Sequence, residues 1–139
     1  MKRALKSLLL TAILACSFGC SSKTGTCQTV RCAPKLSFDL RDPSGARVVD
    51  GVVIANSGLD GGTDGVLCAP SDACSYYLVG PRQNIGVYVT GYEPVGVQYT
   101  AQYDACGNPL NQTVTIHLVP DGSTTSTTQT WAVNGTCGS

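Results

Sequence analysis

The clearest signal along the chain is the alternation of apolar and polar positions with a period of two. Between Lys35 and Arg41, Leu36, Phe38 and Leu40 fall on one face while Ser37 and Asp39 fall on the other, the pattern of a half-buried strand. Ile85, Val87 and Val89 alternate with Gly86, Tyr88 and Thr90 in the same way. Val95, Val97, Tyr99, Ala101 and Tyr103 share a face opposite Gly96, Gln98, Thr100 and Gln102, and Val114, Ile116 and Leu118 point inward from a strand over Thr113 to Val119. Val48 to Ala55 reads as a further strand, too uniformly apolar at Val52-Val53-Ile54 for its faces to be told apart. Two short strands, Gly65 to Cys68 and Ser75 to Val79, flank a turn that contains Pro70.

The segments between these strands carry turn chemistry. Asp42-Pro43-Ser44-Gly45 combines a proline that presets φ with a glycine that tolerates positive φ, and Gly91-Tyr92-Glu93-Pro94 turns the chain again. Ser57 to Gly65 and Asp104 to Asn111 are loops, the second holding Cys106, Gly107 and Pro109. Asp121 to Thr130 is a Ser/Thr-rich stretch with too little apolar area to order itself, and Trp131 to Val133 is the candidate edge strand of the C-terminal tail. About seven short strands at close spacing predict an all-β chain folded as an antiparallel β-sandwich. Composition agrees, since Gly, Pro, Ser, Thr and Val dominate while Glu, Lys and Met are scarce.

The N-terminus follows a different logic. Lys2, Arg3 and Lys6 make a basic start, Ser7 to Ala15 an apolar run, and Ser17-Phe18-Gly19-Cys20 a small-residue exit, the anatomy of an export signal. The run is shorter than the roughly 20 apolar residues that span a bilayer. A cysteine directly after the small residue resembles a bacterial lipoprotein signal, in which that cysteine is lipidated. Cys20 is the expected acceptor, with Cys16 as the alternative, because cleavage before Cys20 leaves an even set of cysteines. Ser21 and Ser22 follow with no Asp after the anchor, which by the same resemblance points to the outer membrane; plain secretion is the alternative. The expected organisation is therefore a signal over 1–19, a tether over 20–34, the sandwich over 35–120 and the tail over 121–139. From Cys20 onward six basic residues face nine acids, a net charge of −3 without a basic cluster, which argues against nucleic acid as a partner.

Cys27, Cys32, Cys68, Cys74, Cys106 and Cys137 suit an oxidising compartment, and disulfides are expected for all six. A bridge from Cys74 to Cys106 is the expected core pairing, with Cys68 and the tether and tail cysteines pairing among themselves. A thiolate metal site is not expected, because the spacings from Cys27 to Cys32 and from Cys68 to Cys74 are not the two-residue gaps of paired ligands. Asp60-Gly61-Gly62-Thr63-Asp64-Gly65 begins like a calcium loop but has Ser71 where the bidentate Glu belongs, so a solvated loop is expected and no cofactor. His117 is the only histidine and sits on the outward face of its strand, with no nucleophile motif near it in sequence. No catalytic residue is expected. Tyr76, Tyr77, Tyr88, Tyr92, Tyr99 and Tyr103 are numerous, and those off the inward faces are candidates for a recognition surface.

Ser44-Gly45-Ala46-Arg47-Val48, the strand through Val53, the alternating Ile85, Val87 and Val89 leading into Gly91-Tyr92, Cys106-Gly107 and Val114-Thr115-Ile116-His117-Leu118 together resemble the carboxypeptidase regulatory-like domain. The resemblance spans Lys35 to Pro120 and implies a transthyretin-like (prealbumin-like) sandwich. The chain departs from it at Arg47, where the family has proline, and at Gly51, where a small alanine is usual. Such domains accompany peptidases or stand as surface and periplasmic appendages. The expected function is thus a lipid-anchored binding or structural module of the bacterial envelope, not an enzyme, contacting the membrane through its lipid and a protein or carbohydrate partner through loops at Ser57 to Gly65 and Gly80 to Asn84. The alternatives are a secreted transthyretin-like carrier of a small apolar ligand and an accessory domain for a peptidase or other envelope enzyme.

Overall fold

A computed structural model describes residues 26–56, 66–67, 74–78 and 80–138. Eight strands form: β1 (Lys35–Arg41), β2 (Val52–Asn56), β3 (Val66–Leu67), β4 (Cys74–Tyr77), β5 (Arg82–Val89), β6 (Val95–Thr100), β7 (Leu110–His117) and β8 (Thr128–Thr136). They build two four-stranded sheets, ordered β4-β1-β7-β8 and β3-β2-β5-β6. The described residues contain no helix. The predicted inward faces meet in one core. Leu36, Phe38 and Leu40 of β1 and Val114 and Ile116 of β7 pack against Val52 and Ile54 of β2, Ile85, Val87 and Val89 of β5, and Val95, Val97 and Tyr99 of β6. At roughly 25 cal/mol per Å² of apolar surface removed from water, this layer is the main source of stability.

One pairing departs from the expected antiparallel plan. β1 and β7 run parallel, with Leu36 opposite Gln112 and Arg41 opposite His117. Parallel neighbours need a long crossover, and here the chain builds the whole second sheet between them.

Strand boundaries differ from the alternation where a turn intervenes. β2 starts at Val52 because Asp50 and Gly51 form a turn. Gly51 has φ +66°, and a Cβ there would lie 3.1 Å from Thr90 Oγ1. β6 ends at Thr100: Ala101 still donates its N–H to the Pro81 carbonyl, but Pro81 has no N–H to return, so the ladder with β5 stops there, and Tyr103 turns outward to 55% exposure instead of continuing the inward face. β8 is longer than expected. Its residues are exposed up to Asn134 and Gly135, so it is ordered by its hydrogen-bond ladder to β7 and not by burial. Its threonines are β-branched and suit an extended backbone.

Candidate functional site

The segment expected as a tether carries the most covalent structure. Cys27 is bonded to Cys106 and Cys32 to Cys137, with Cα–Cα distances of 5.3 and 5.9 Å. The expected bridge between Cys74 and Cys106 is therefore not formed. Residues 26–34 lie along the loop that follows β6, which brings Cys27 to Cys106, while Cys74 begins the edge strand β4, opposite Phe38 midway along β1. Cys74 is itself disulfide-bonded, to a partner outside the described residues. Cys16, Cys20, Cys68 and the calcium-like loop over 60–71 also fall outside the described residues, apart from Val66 and Leu67. Disulfides of this kind belong to an oxidising, extracytoplasmic compartment.

Asn108 clamps the segment between the two bridges. Its side-chain Oδ1 accepts from Val30 N at 2.8 Å, and its Nδ2 donates to Gln28 O at 2.9 Å and to Asp104 Oδ2 at 3.1 Å. Only 5% of Asn108 is exposed, so the amide has exchanged water for these partners. Asp104 Oδ1 in turn accepts from the backbone N–H groups of Cys106 and Asn108. The bond from Asn108, followed by the other donors in this loop, holds the Asp104 carboxyl below its ordinary range. Nothing in the sequence around Asn108 signals this role, because it depends on a segment 78 residues away.

His117 stands exposed at the opposite end, where β1 and β7 finish. It borders a depression of about 460 Å³ with Asp42, Leu118, Ser123, Ser126 and Thr128 among its walls. Histidine, serine and aspartate thus share one cleft, but their bonds do not form a relay. Asp42 Oδ1 accepts from Ser44 Oγ, Ser44 N and Ala46 N, which caps the turn after β1. The bond from the Ser44 hydroxyl is the main reason the Asp42 carboxyl sits below its ordinary range. Among the described residues no side-chain hydrogen bond joins His117 to a serine or a carboxylate, and no three His, Cys, Asp or Glu side chains gather as a metal site requires.

The outer face of the second sheet carries a different surface. Cross-strand pairing sets Val53 opposite Tyr88, Ala55 opposite Gly86, Gly86 opposite Gly96 and Asn84 opposite Gln98. Val53, Tyr88 and the neighbouring Pro94 make an apolar ridge, and Asn84 and Gln98 a parallel ridge of carboxamides. A groove of about 490 Å³ runs between them, and among the described residues every one lining it is uncharged. Tyr88 is 48% exposed, and its ring leans along β5 so that a Cβ on Gly86 would meet Cε2 at 2.7 Å and Oη at 2.9 Å. On the far side of that ring a second depression of about 370 Å³ continues past Thr90 and Tyr92 to Asp121.

Of the six tyrosines, Tyr99 is buried, Tyr76 and Tyr92 pack against the core, and Tyr77, Tyr88 and Tyr103 are exposed. Burial raises the Tyr99 pKa, and its hydroxyl makes no hydrogen bond of good geometry although the Gln112 carboxamide lies near it. Of the loops expected to carry contacts, 57–65 lies outside the described residues, and Arg82, Gln83 and Asn84 belong to β5. No family model, curated protein or solved structure matches the chain.

Proposed function

We propose that this chain is a lipid-anchored module of the bacterial envelope, a transthyretin-like sandwich that works by binding and presents its ligand surface on the outer face of the second sheet. The carrying observation is that both bridges fasten the N-terminal segment to one end of the sandwich, at Cys106 and Cys137. A lipid on Cys20 would be seven residues from the first bridge, so this end stays within about 25 Å of the membrane. The eight residues of β7 then carry the opposite end roughly 27 Å farther out. Two four-stranded sheets with a parallel β1–β7 pair support the transthyretin-like assignment. The space between the sheets is filled by Tyr99, Ile116, Ile54 and their neighbours, which favours the surface over an internal cavity as the place for a ligand.

Cell fractionation with intact-mass analysis tests the anchor. The wild-type chain should partition with membranes and begin at an acylated Cys20, and Cys20→Ser should release it, because stable anchoring takes more than one acyl chain. A mature chain with an unmodified N-terminus, or Cys20→Ser protein that stays membrane-bound, refutes the proposal.

A further inference from the structure

We infer that the groove beside Tyr88 binds a neutral polysaccharide, at least two sugar rings long. The inference extends the binding reading but does not depend on the lipid anchor. A sugar ring has an apolar C–H face and a rim of hydroxyls that both donate and accept hydrogen bonds. The groove offers the counterpart of each. The exposed Tyr88 ring, leaning over the strand and not standing clear of it, presents a face for stacking, while the exposed Gln98 on the facing ridge supplies a carboxamide that donates and accepts.

Charge narrows the ligand. Among the described residues the lining of the groove is uncharged, and Asp121 is the sole charged residue around the adjoining depression. Nucleic acid or an anionic glycan would call for a basic track, whereas among the described residues this face offers the single cation Arg82 at one end. A protein partner would call for large apolar anchors in a desolvated centre, but the floor here is open backbone at Gly96 with the Tyr88 ring laid along Gly86. Length follows from the shape. The two depressions share Tyr88 and Pro94 and lie on either side of the ring, so a chain crossing Tyr88 occupies both, and a single sugar fills one.

Gly96 makes the test clean. Its backbone does not adopt positive φ, and a Cβ built there meets no atom within 4 Å, so a side chain fits without strain and stands in the groove. The probes are neutral hexasaccharides of glucose and of N-acetylglucosamine, titrated by calorimetry into the exported protein purified from whichever fraction holds it. At least one should bind saturably, with its monosaccharide much weaker. Tyr88→Ala and Gly96→Val should each weaken binding about tenfold or more, the loss typical of truncating a stacking aromatic. Tyr88→Phe should retain it, and the thermal midpoint of Gly96→Val should not fall. Absence of binding to every hexasaccharide, or binding that survives both Tyr88→Ala and Gly96→Val, overturns the inference. So does exclusive binding of anionic polymers. Each of these outcomes is distinct from failure of the anchor, which fractionation reads separately.

Discussion

Removing the Cys32 to Cys137 bridge with Cys32→Ala and Cys137→Ala should destabilise the domain by an amount the topology sets. Taken alone, the bridge closes a loop with a sequence separation of 105. With Cys27 still bonded to Cys106 the unfolded chain has a shorter route, through residues 27–32 and 106–137, so the effective loop is roughly 36 residues. Chain-entropy reasoning then gives a loss of about 4 kcal/mol at 25 °C for a loop of that size. Domains of this size are stable by about 5–15 kcal/mol, so the loss should lower the thermal midpoint by 15 °C or more. Denaturant unfolding of the exported variant measures it directly. A loss below about 1 kcal/mol would show that the N-terminal segment does not constrain the unfolded chain, and a non-reducing peptide map lacking the bridge would refute the pairing itself.

Other perturbations report on the core, the outward face and two ionisable groups. Ile116→Ala should cost about 2–5 kcal/mol, because its side chain is wholly buried, whereas His117→Ala one residue on should stay within about 0.5 kcal/mol. A hydrolase screen on that same His117→Ala variant tests the binding reading, since activity lost while the fold persists would identify an enzyme. The Asp42 and Asp104 carboxyls are held below their usual 3.8, so they contribute stability above that pH and lose it as pH falls through the lower folded values. Acid titration should therefore show a stability loss below about pH 4 that is shallower in Asp104→Asn. Tyr99→Phe removes a buried hydroxyl without a well-formed partner and should change stability at pH 7 by no more than about 1 kcal/mol. Burial places the folded Tyr99 pKa above 10.0, so the wild type should lose stability as pH rises beyond that point, and Tyr99→Phe should lose less.

Strand faces were legible wherever one side of a strand meets the core. A one-residue slip at Leu36, Phe38 and Leu40 or at Val95, Val97 and Tyr99 would turn the whole apolar set to solvent, so alternation specifies the register. The same logic failed at Tyr103, because alternation does not say where a strand stops; Pro81, opposite Ala101, has no N–H to carry the ladder on, and β6 ends before Tyr103. β8 was legible only in part, since its order comes from the exposed ladder to β7 and no apolar periodicity marks it. The cysteine pairing lay beyond the sequence, because connectivity depends on where residues 26–34 dock, and Asn108 decides that through backbone groups carrying no side-chain signal. Tyr88 was visible as an outward tyrosine, whereas the groove beside it required the cross-strand neighbours Gly86 and Gly96.

The two bridges also explain how a sandwich with a lipid at its N-terminus would bear load. Residues 26–34 contribute no regular strand, and β1 lies between β4 and β7 in the sheet. A pull on a chain lacking the bridges would act directly on Lys35 and the start of β1, whose inter-strand hydrogen bonds each hold only about 1 kcal/mol net. Cys27 and Cys32 instead pass that pull through covalent bonds to Cys106, just before β7, and to Cys137, just after β8. The load then reaches the sheet at two points beyond β1, and peeling β1 from its end no longer relieves it. Loss of either bridge would return part of that load to the hydrogen bonds of β1, so with the proposed lipid in place the staple would be as much a mechanical coupling as a source of equilibrium stability.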